Sequence, residues 1–109
     1  MANQANAKPR ITLDPVKIDP KHYKVEFENE KVRVLRIRFG PNERSDMHTH
    51  PSMVAILLTD HYSRHVHPDG NTEELTGKAG EIRYLEELAH APENLSDVPF
   101  ELIAVELKS

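Results

Sequence analysis

From residue 23 onward, apolar and polar residues alternate with a period of two, in short runs separated by turn residues. Tyr23, Val25 and Phe27 alternate with charged residues in the first run, and a second run ends at Phe39. Side chains of a β-strand point alternately to its two faces, so each run predicts a strand with one buried face. Further candidate strands are residues 53–59, 62–67, 72–75, 81–85 and 100–107. Since no segment has a convincing helical stripe, these short strands predict an all-β sandwich or barrel.

Residues 1–20 differ in character from the rest of the chain. Pro9, Pro15 and Pro20 recur through this segment, and each proline removes a backbone donor and biases the preceding residue toward extended geometry. Apolar residues between the prolines suit packing along a sheet. We therefore expect an extended N-terminal arm that packs on its own sheet or on a partner subunit. Residues 21–109 have the length of one domain.

The composition excludes several classes of function. The chain has 14 basic and 18 acidic residues and a net charge of −4, without the basic stripe that nucleic acid binding requires. The absence of cysteine excludes disulfides, thiol nucleophiles and thiolate metal sites. The longest apolar run, residues 53–58, is far shorter than the roughly 18 residues that span a bilayer. The N-terminus also lacks the segments of a signal peptide, so we expect a cytoplasmic protein without nucleic acid or membrane partners.

Seven histidines in 109 residues are the one unusual feature of the composition. His48 and His50 are separated by one residue, so on a strand both imidazoles would point to the same face. His90 follows about forty positions later. Three imidazoles gathered inside a barrel would form a site for a divalent transition metal. The spacing alone leaves a second interpretation open, in which the first two histidines lie on a polar loop.

Two segments resemble the two sequence motifs of the cupin family. Residues 42–51, which contain His-Thr-His, are similar to the first motif, a turn glycine followed by five residues and His-x-His. Residues 80–94, with a glycine first, a histidine within and an asparagine last, resemble the second. The resemblance extends over about residues 23–108 and implies a double-stranded β-helix, or jelly-roll barrel, with a metal inside it. The metal ligands that it implies are His48, His50 and His90.

The chain departs from the family pattern at four places. Asn42 stands where glycine is usual, which is tolerable because asparagine also adopts positive φ. Val54 occupies the place of the usual glutamate, the usual Pro-x-Gly is missing, and His90 comes one residue early. Loss of the glutamate would leave three neutral ligands, so that the bound metal would keep its full +2 charge.

Such a site resembles the three-histidine cupins that use ferrous iron to activate dioxygen. The resemblance implies one divalent transition metal (Fe, Zn, Ni, Mn or Cu, with iron favoured) and a dioxygenase that acts on a small organic molecule. Two alternatives stay open: a non-catalytic metal- or ligand-binding module such as a sensor, and a structural dimer that binds metal adventitiously. The sequence assigns no catalytic residue. We expect a homodimer in which the arm pairs across a two-fold axis, because small jelly rolls expose sheet edges.

The remaining histidines receive other predictions. His65 and His67 form a second His-x-His, which we interpret as a surface or subunit contact, with a position inside the barrel near the metal as the alternative. We expect His61 to be a solvated turn residue and His22 to be exposed in the arm.

Other polar residues are candidates for supporting roles. Asn94 is expected to orient His90 or to hold its strand in place, and Tyr84 to be packed in the barrel. The remaining predictions are two solvated loop carboxylates, Glu43 and Glu93, and one solvated or inter-subunit arginine face, Arg33, Arg36 and Arg38.

Overall fold

The alternating runs form the all-β fold that the sequence predicts. The structure, a computed structural model, describes residues 12–108, and the first eleven residues of the predicted arm lie outside them. One helical turn, α1 (Pro15–Ile18), precedes the strands. The strands are β1 (Tyr23–Glu28), β2 (Val32–Phe39), β3 (His48–His50), β4 (Met53–Leu57), β5 (His61–Val66), β6 (Thr72–Gly77), β7 (Ile82–Leu85), β8 (Leu88–Asn94) and β9 (Phe100–Leu107). No helix in the described range is long and apolar enough to cross a membrane.

The strands form two antiparallel sheets that enclose the core. The five-stranded sheet has the order β1-β2-β9-β4-β7, and the four-stranded sheet has the order β3-β8-β5-β6. Strands that are distant in sequence are neighbours in both sheets: β2 pairs with β9, and β3 pairs with β8. This crossing order brings residues about forty positions apart, on β3 and β8, to adjacent places in one sheet.

The period-two pattern decides which side chains face inward. On β4, Met53, Ala55 and Leu57 are buried and the residues between them are only half-buried. On β9 the buried positions run from Phe100 in steps of two to Glu106. The inward residues of the five-stranded sheet therefore make an apolar core. The last inward residue of β9 is the buried carboxylate Glu106.

The described part of the arm packs beside β3. Thr49 and Leu13 are joined by three hydrogen bonds. The Thr49 amide (2.9 Å) and hydroxyl (3.4 Å) donate to the Leu13 carbonyl, and the Leu13 amide donates to the Thr49 hydroxyl (3.0 Å). The Asp14 side chain caps α1 by accepting from the amide of Val16, while Pro15 is buried. Residues 12–20 thus pack on the chain's own barrel, and they include a helical turn as well as extended backbone.

The outer face of the five-stranded sheet carries an apolar row from edge to edge. The residues of this row stand opposite one another in the strand registers. In order across the sheet they are Phe27, Val34, Val105, Val54 and Tyr84. The two outermost side chains are 55% and 56% exposed, so the row ends in solvent-exposed aromatic rings at both sheet edges.

Candidate metal centre

The structure brings His48, His50 and His90 together inside the barrel. His48 stands directly opposite His90 in the pairing of β3 with β8, and His50 lies on the same face of β3 because it is two residues further on. All three side chains are buried, and one ring nitrogen of each lies within 4.8 Å of the others. The ring planes of the three pairs are nearly perpendicular, at 80–85°. Three imidazoles converging in this way could hold one metal ion.

The loop before β3 leads into the strand that carries His48 and His50. It turns at Asn42, whose φ of 61° confirms that asparagine takes the left-handed conformation where the family pattern has glycine. Val54, which stands in place of the usual glutamate, lies on the half-buried face of β4. No carboxylate therefore enters the centre from that strand.

Two of the rings are oriented through Nδ1 by polar groups of the barrel. His48 Nδ1 donates to the backbone carbonyl of Asp46 over 2.8 Å. His50 Nδ1 lies 2.6 Å from Oε2 of Glu106. Hydrogen bonds of this kind fix the tautomer and the ring orientation of metal-binding histidines. Each of these two rings therefore has its Nε2 atom left for a ligand.

The third ring is oriented by another histidine. His90 Nδ1 lies 3.0 Å from His65 Nδ1, and one of the two atoms must be the donor. The Nε2 atoms of His48 and His90 are buried and have no hydrogen-bond partner in the described part of the chain. An unsatisfied buried polar atom costs about 1–3 kcal/mol, which a metal ion at this point would remove. The residues present therefore fit a metal ion.

A chain of charges extends from the centre to the arm. Glu106 is 2% exposed, and its second oxygen accepts from Arg33 Nε over 2.9 Å. The Arg33 guanidinium also donates to both carboxylate oxygens of Asp14, over 3.0 and 3.2 Å. Sequence reasoning missed Glu106. The sequence signal that could have found Glu106 is its position six residues after Phe100, because an even spacing on one strand places both side chains on the inward face.

Burial lowers the pKa of two histidines of the centre, His48 and His90. Burial lowers the pKa of His48 to about 4, and the nearby His50 lowers it further in the same direction. Burial also lowers the pKa of His90 well below its ordinary value, with His65 as the next cause. These two rings are therefore neutral at pH 7, which is the form that binds metal.

The centre borders a partly open cavity of about 110 Å³. The wall is mostly apolar, and its histidines are His50, His61, His65 and His90. His50 also borders a larger open cleft of about 660 Å³ on the side of α1, where Glu106 and Arg33 lie. Among the described residues, His50 is the one that lines both the cavity and the cleft.

Three predictions for other histidines are wrong. The surface interpretation of His65 is wrong, and the alternative position inside the barrel is the one observed, because the half-buried ring lines the cavity and contacts His90. His61 is half-buried, packs on the ring of Phe100 at a centroid distance of 4.2 Å and lines the cavity. His22 is 6% exposed and stacks on Phe39. His67 is partly exposed beside a glutamate, as a surface position requires.

Three further predictions are wrong because the residues have specific partners or the opposite exposure. Glu43 is not a solvated loop residue, since it accepts hydrogen bonds from the Gly40 amide and the His22 ring. Tyr84 is 56% exposed and not packed in the barrel. Arg33 does not share a face with Arg36, because its guanidinium is directed to the buried Glu106.

Glu93 and Asn94 both belong to strand β8, not to a loop. Glu93 is half-buried beside Arg64. Asn94 is fully buried and donates to the carbonyls of Phe39, Gly40 and Val98. Of the two roles expected for Asn94, the structure shows the one that holds the strand in place.

Solved structures similar to this chain have the cupin fold. A cupin domain from Bordetella pertussis is 23% identical, with a TM-score of 0.74 over 94% of this chain and 100% of that one. A double-stranded β-helix protein from Klebsiella pneumoniae is 20% identical, with a TM-score of 0.63 over 78% and 74% of the two chains. The polyketide cyclase RemF from Streptomyces resistomycificus is 17% identical, with a TM-score of 0.58 over 78% and 63%. No family model and no curated protein matches. The chain has the cupin double-stranded β-helix fold.

Proposed function

We propose that this cupin binds one divalent transition metal through His48, His50 and His90, and that with ferrous iron it is a dioxygenase of a small organic molecule. One observation carries the proposal: three buried rings converge, and two of them leave a buried Nε2 atom without a partner among residues 12–108. Three neutral nitrogen ligands suit Fe, Zn, Ni, Mn or Cu.

A ferrous ion on three protein ligands would supply Lewis acidity and electrons for dioxygen, with positions left open for substrate. The chain's own residues would prepare the site. His65 and Glu106 hold the rings of His90 and His50 through Nδ1. The mostly apolar wall of the cavity would exclude water and favour a substrate with a small apolar body.

The cleft beside His50 supports a route for that substrate. His50 lines both the cleft and the cavity. A small movement of this ring would connect the two spaces. A small-molecule partner and a cytoplasmic location are parts of the same proposal.

A second candidate is a non-catalytic module that binds metal or a small ligand. It is favoured by the cavity wall, which contains no carboxylate among the described residues. Glu106, the carboxylate that contacts the cavity residue His50, is already engaged by that ring and by Arg33. Carboxylates are common general bases in enzymes. In this second candidate, no carboxylate of the described cavity wall is available to take a proton from a substrate.

Metal analysis of protein purified without an affinity tag tests the site. We expect about one transition metal per chain, loss of that metal in His48→Ala, and full retention in His67→Ala, which makes the same change at a partly exposed histidine. A chain that reproducibly binds no metal would contradict the dioxygenase and leave only a module that binds a small ligand.

Oxygen uptake separates the candidates. Protein loaded with iron under anaerobic conditions would be supplied with diketones and thiols and then with oxygen. Uptake that depends on both iron and the organic compound supports the dioxygenase. Stoichiometric metal without uptake on either compound class supports the binding module.

A further inference from the structure

Among the described residues, His61 is the histidine of the cavity wall that the proposed metal centre does not use. It begins β5, lines the cavity and contacts Phe100 with its ring. Its Nε2 atom lies 2.8 Å from the hydroxyl of Ser63. Its Nδ1 atom is buried and has no hydrogen-bond partner in the described part of the chain. One ring nitrogen beside the cavity is therefore unsatisfied.

The partner of Nε2 decides which hydrogen-bonding role Nδ1 has. Ser63 is fully buried, and its hydroxyl has His61 as its side-chain partner. If Ser63 donates to Nε2, the hydroxyl proton is satisfied and the ring carries its own proton on Nδ1. If Ser63 accepts instead, both the hydroxyl proton and Nδ1 are left without partners. Because each buried orphan costs about 1–3 kcal/mol, the first arrangement is favoured, and Nδ1–H is a free donor.

The surroundings of this donor define what it can bind. The cavity of about 110 Å³ has the volume of roughly four water molecules in the liquid, and is somewhat smaller than the ~150 Å³ apolar cavity that takes benzene. The one cationic residue in its wall, Arg83, is engaged by Glu81 and by the carbonyl of Thr76. The described wall therefore has no unpaired cation that would favour binding of an anion.

We propose that His61 donates a hydrogen bond from Nδ1 to an acceptor oxygen of a small uncharged molecule held in the cavity, such as a ketone or an ester. The bound molecule has a carbonyl at His61 and an apolar body against residues such as Phe100 and Leu57. This inference deepens the proposed function, and rests on it for the statement that the bound molecule is a substrate. The hydrogen bond itself does not require the metal.

Burial gives the ring the charge state that this role needs. Burial lowers the pKa of His61 to about 4, and the charge of Arg83 lowers it in the same direction. The ring is neutral at pH 7, so it offers one donor and does not attract an anion.

NMR titration with butan-2-one tests the inference directly. The protein, labelled with ¹⁵N-histidine, is titrated in its zinc-loaded form, which is redox-inert, and again after metal removal. We expect a saturable change in the ¹⁵N shift of His61 Nδ1 in both forms. 2-Methylbut-1-ene has nearly the same shape without the oxygen, and should bind at least about fivefold more weakly. Equal affinity for the two compounds, or no response at His61, would overturn the proposal.

Two variants of the same residue make the test specific. His61→Leu removes the donor and should lower the affinity for butan-2-one at least about fivefold, while His61→Gln, which keeps a side-chain N–H, should restore part of it. Each variant is first shown to fold by its circular dichroism and thermal unfolding, with His67→Leu as the surface control. Unchanged affinity in a folded His61→Leu variant overturns the proposal. A His61 response in a protein that binds no zinc overturns the proposed function instead and leaves this inference standing.

Discussion

Glu106 Oε2 lies 2.6 Å from His50 Nδ1, and both side chains are at most 3% exposed. The carboxylate comes from β9, in a chain whose first motif has Val54 where glutamate is usual. Glu106 is held in place from its other oxygen by Arg33. A carboxylate bonded to the outer nitrogen of a ligating imidazole fixes the ring and raises its basicity. The barrel thus supplies a carboxylate to the centre as the partner of a ligand.

Replacing Glu106 by glutamine should weaken metal binding without abolishing it. The amide keeps the size of the side chain but loses the negative charge opposite His50 Nδ1. We expect about 10–100-fold lower metal affinity, measured by competition with a chromophoric chelator. Glu101→Gln is the matched control, because it makes the same change on the same strand, at a carboxylate that pairs with the half-buried Arg36 and not with a histidine of the centre. Equal loss in both variants would mean that Glu106 acts only through stability.

Metal binding should respond differently to removal of the His65 ring and to removal of the His90 ring. His90→Ala removes a ligand and should abolish stoichiometric metal binding. His65→Ala removes only the group that accepts from His90 Nδ1, and should retain one metal per chain with about 10–100-fold lower affinity. The metal content of the dialysed proteins and chelator competition measure the two effects. If His65→Ala lost its metal as completely as His90→Ala, the assignment of the ligands would be wrong.

The strands with strong alternation could be predicted from sequence. β9 runs from Phe100 to Leu107 in the structure, as its pattern of apolar residues indicates. β3 and β8 could not be predicted in this way. β3 has three residues, and β8 contains Pro92 among small and polar residues, so neither has the apolar period that marks a strand. Both are fixed by pairing with distant strands.

The same contrast applies to the candidate site. The positions of His48, His50 and His90 followed from the motifs, because their spacing carries the geometry of the fold. The surroundings of His61 and His65 did not, since their burial depends on how β5 lies beside β8 and beneath the five-stranded sheet. Alternation on β5 is weak, with one fully buried residue among six. Tertiary packing therefore decides which of these rings face the cavity.

The metal-free protein should lose stability as the pH falls from about 6.5 to about 4. Three histidines have pKa values lowered to about 4, in each case chiefly by burial: His48, His61 and His65. An unfolded histidine titrates near 6.5, so in this window the unfolded chain binds more protons and protonation favours unfolding. Each such group contributes a slope of up to about 1.4 kcal/mol per pH unit. Urea unfolding at a series of pH values measures the slope.

A variant identifies the source of this acid effect. His61→Gln removes one of the three groups, and should reduce the number of protons taken up on unfolding at pH 5 by about one. Thr72→Gln, at an exposed position of β6, should leave the slope of the wild-type chain unchanged. A slope that is the same in all three proteins would assign the acid sensitivity to other groups.

Asn94 should be essential for stability but not for metal binding. Its amide is fully buried and satisfies the carbonyls of Phe39, Gly40 and Val98. Asn94→Ala would remove a buried donor from all three carbonyls, of which those of Gly40 and Val98 keep the Glu43 amide and the Ser96 hydroxyl as donors, and we expect a loss of about 1–3 kcal/mol in the free energy of unfolding. Asn71→Ala, at an exposed turn, should cost less than about 1 kcal/mol. If the folded Asn94→Ala protein had lost its metal, Asn94 would have the orienting role as well.

The homodimer stays a prediction from the sequence, and the apolar row on the outer face of the five-stranded sheet offers a surface for a second copy. A row that crosses the whole sheet and ends in exposed Phe27 and Tyr84 is of the kind that marks an interaction surface. A second copy related by a two-fold axis would cover both exposed edges at once.

We expect light scattering to give about twice the chain mass of 12.5 kDa. Tyr84→Lys should shift the protein toward monomer, because it would bury a charge at the contact, whereas Thr72→Lys on the other sheet should not. A dimer that survives Tyr84→Lys and Phe27→Lys together would point to pairing through the N-terminal arm instead.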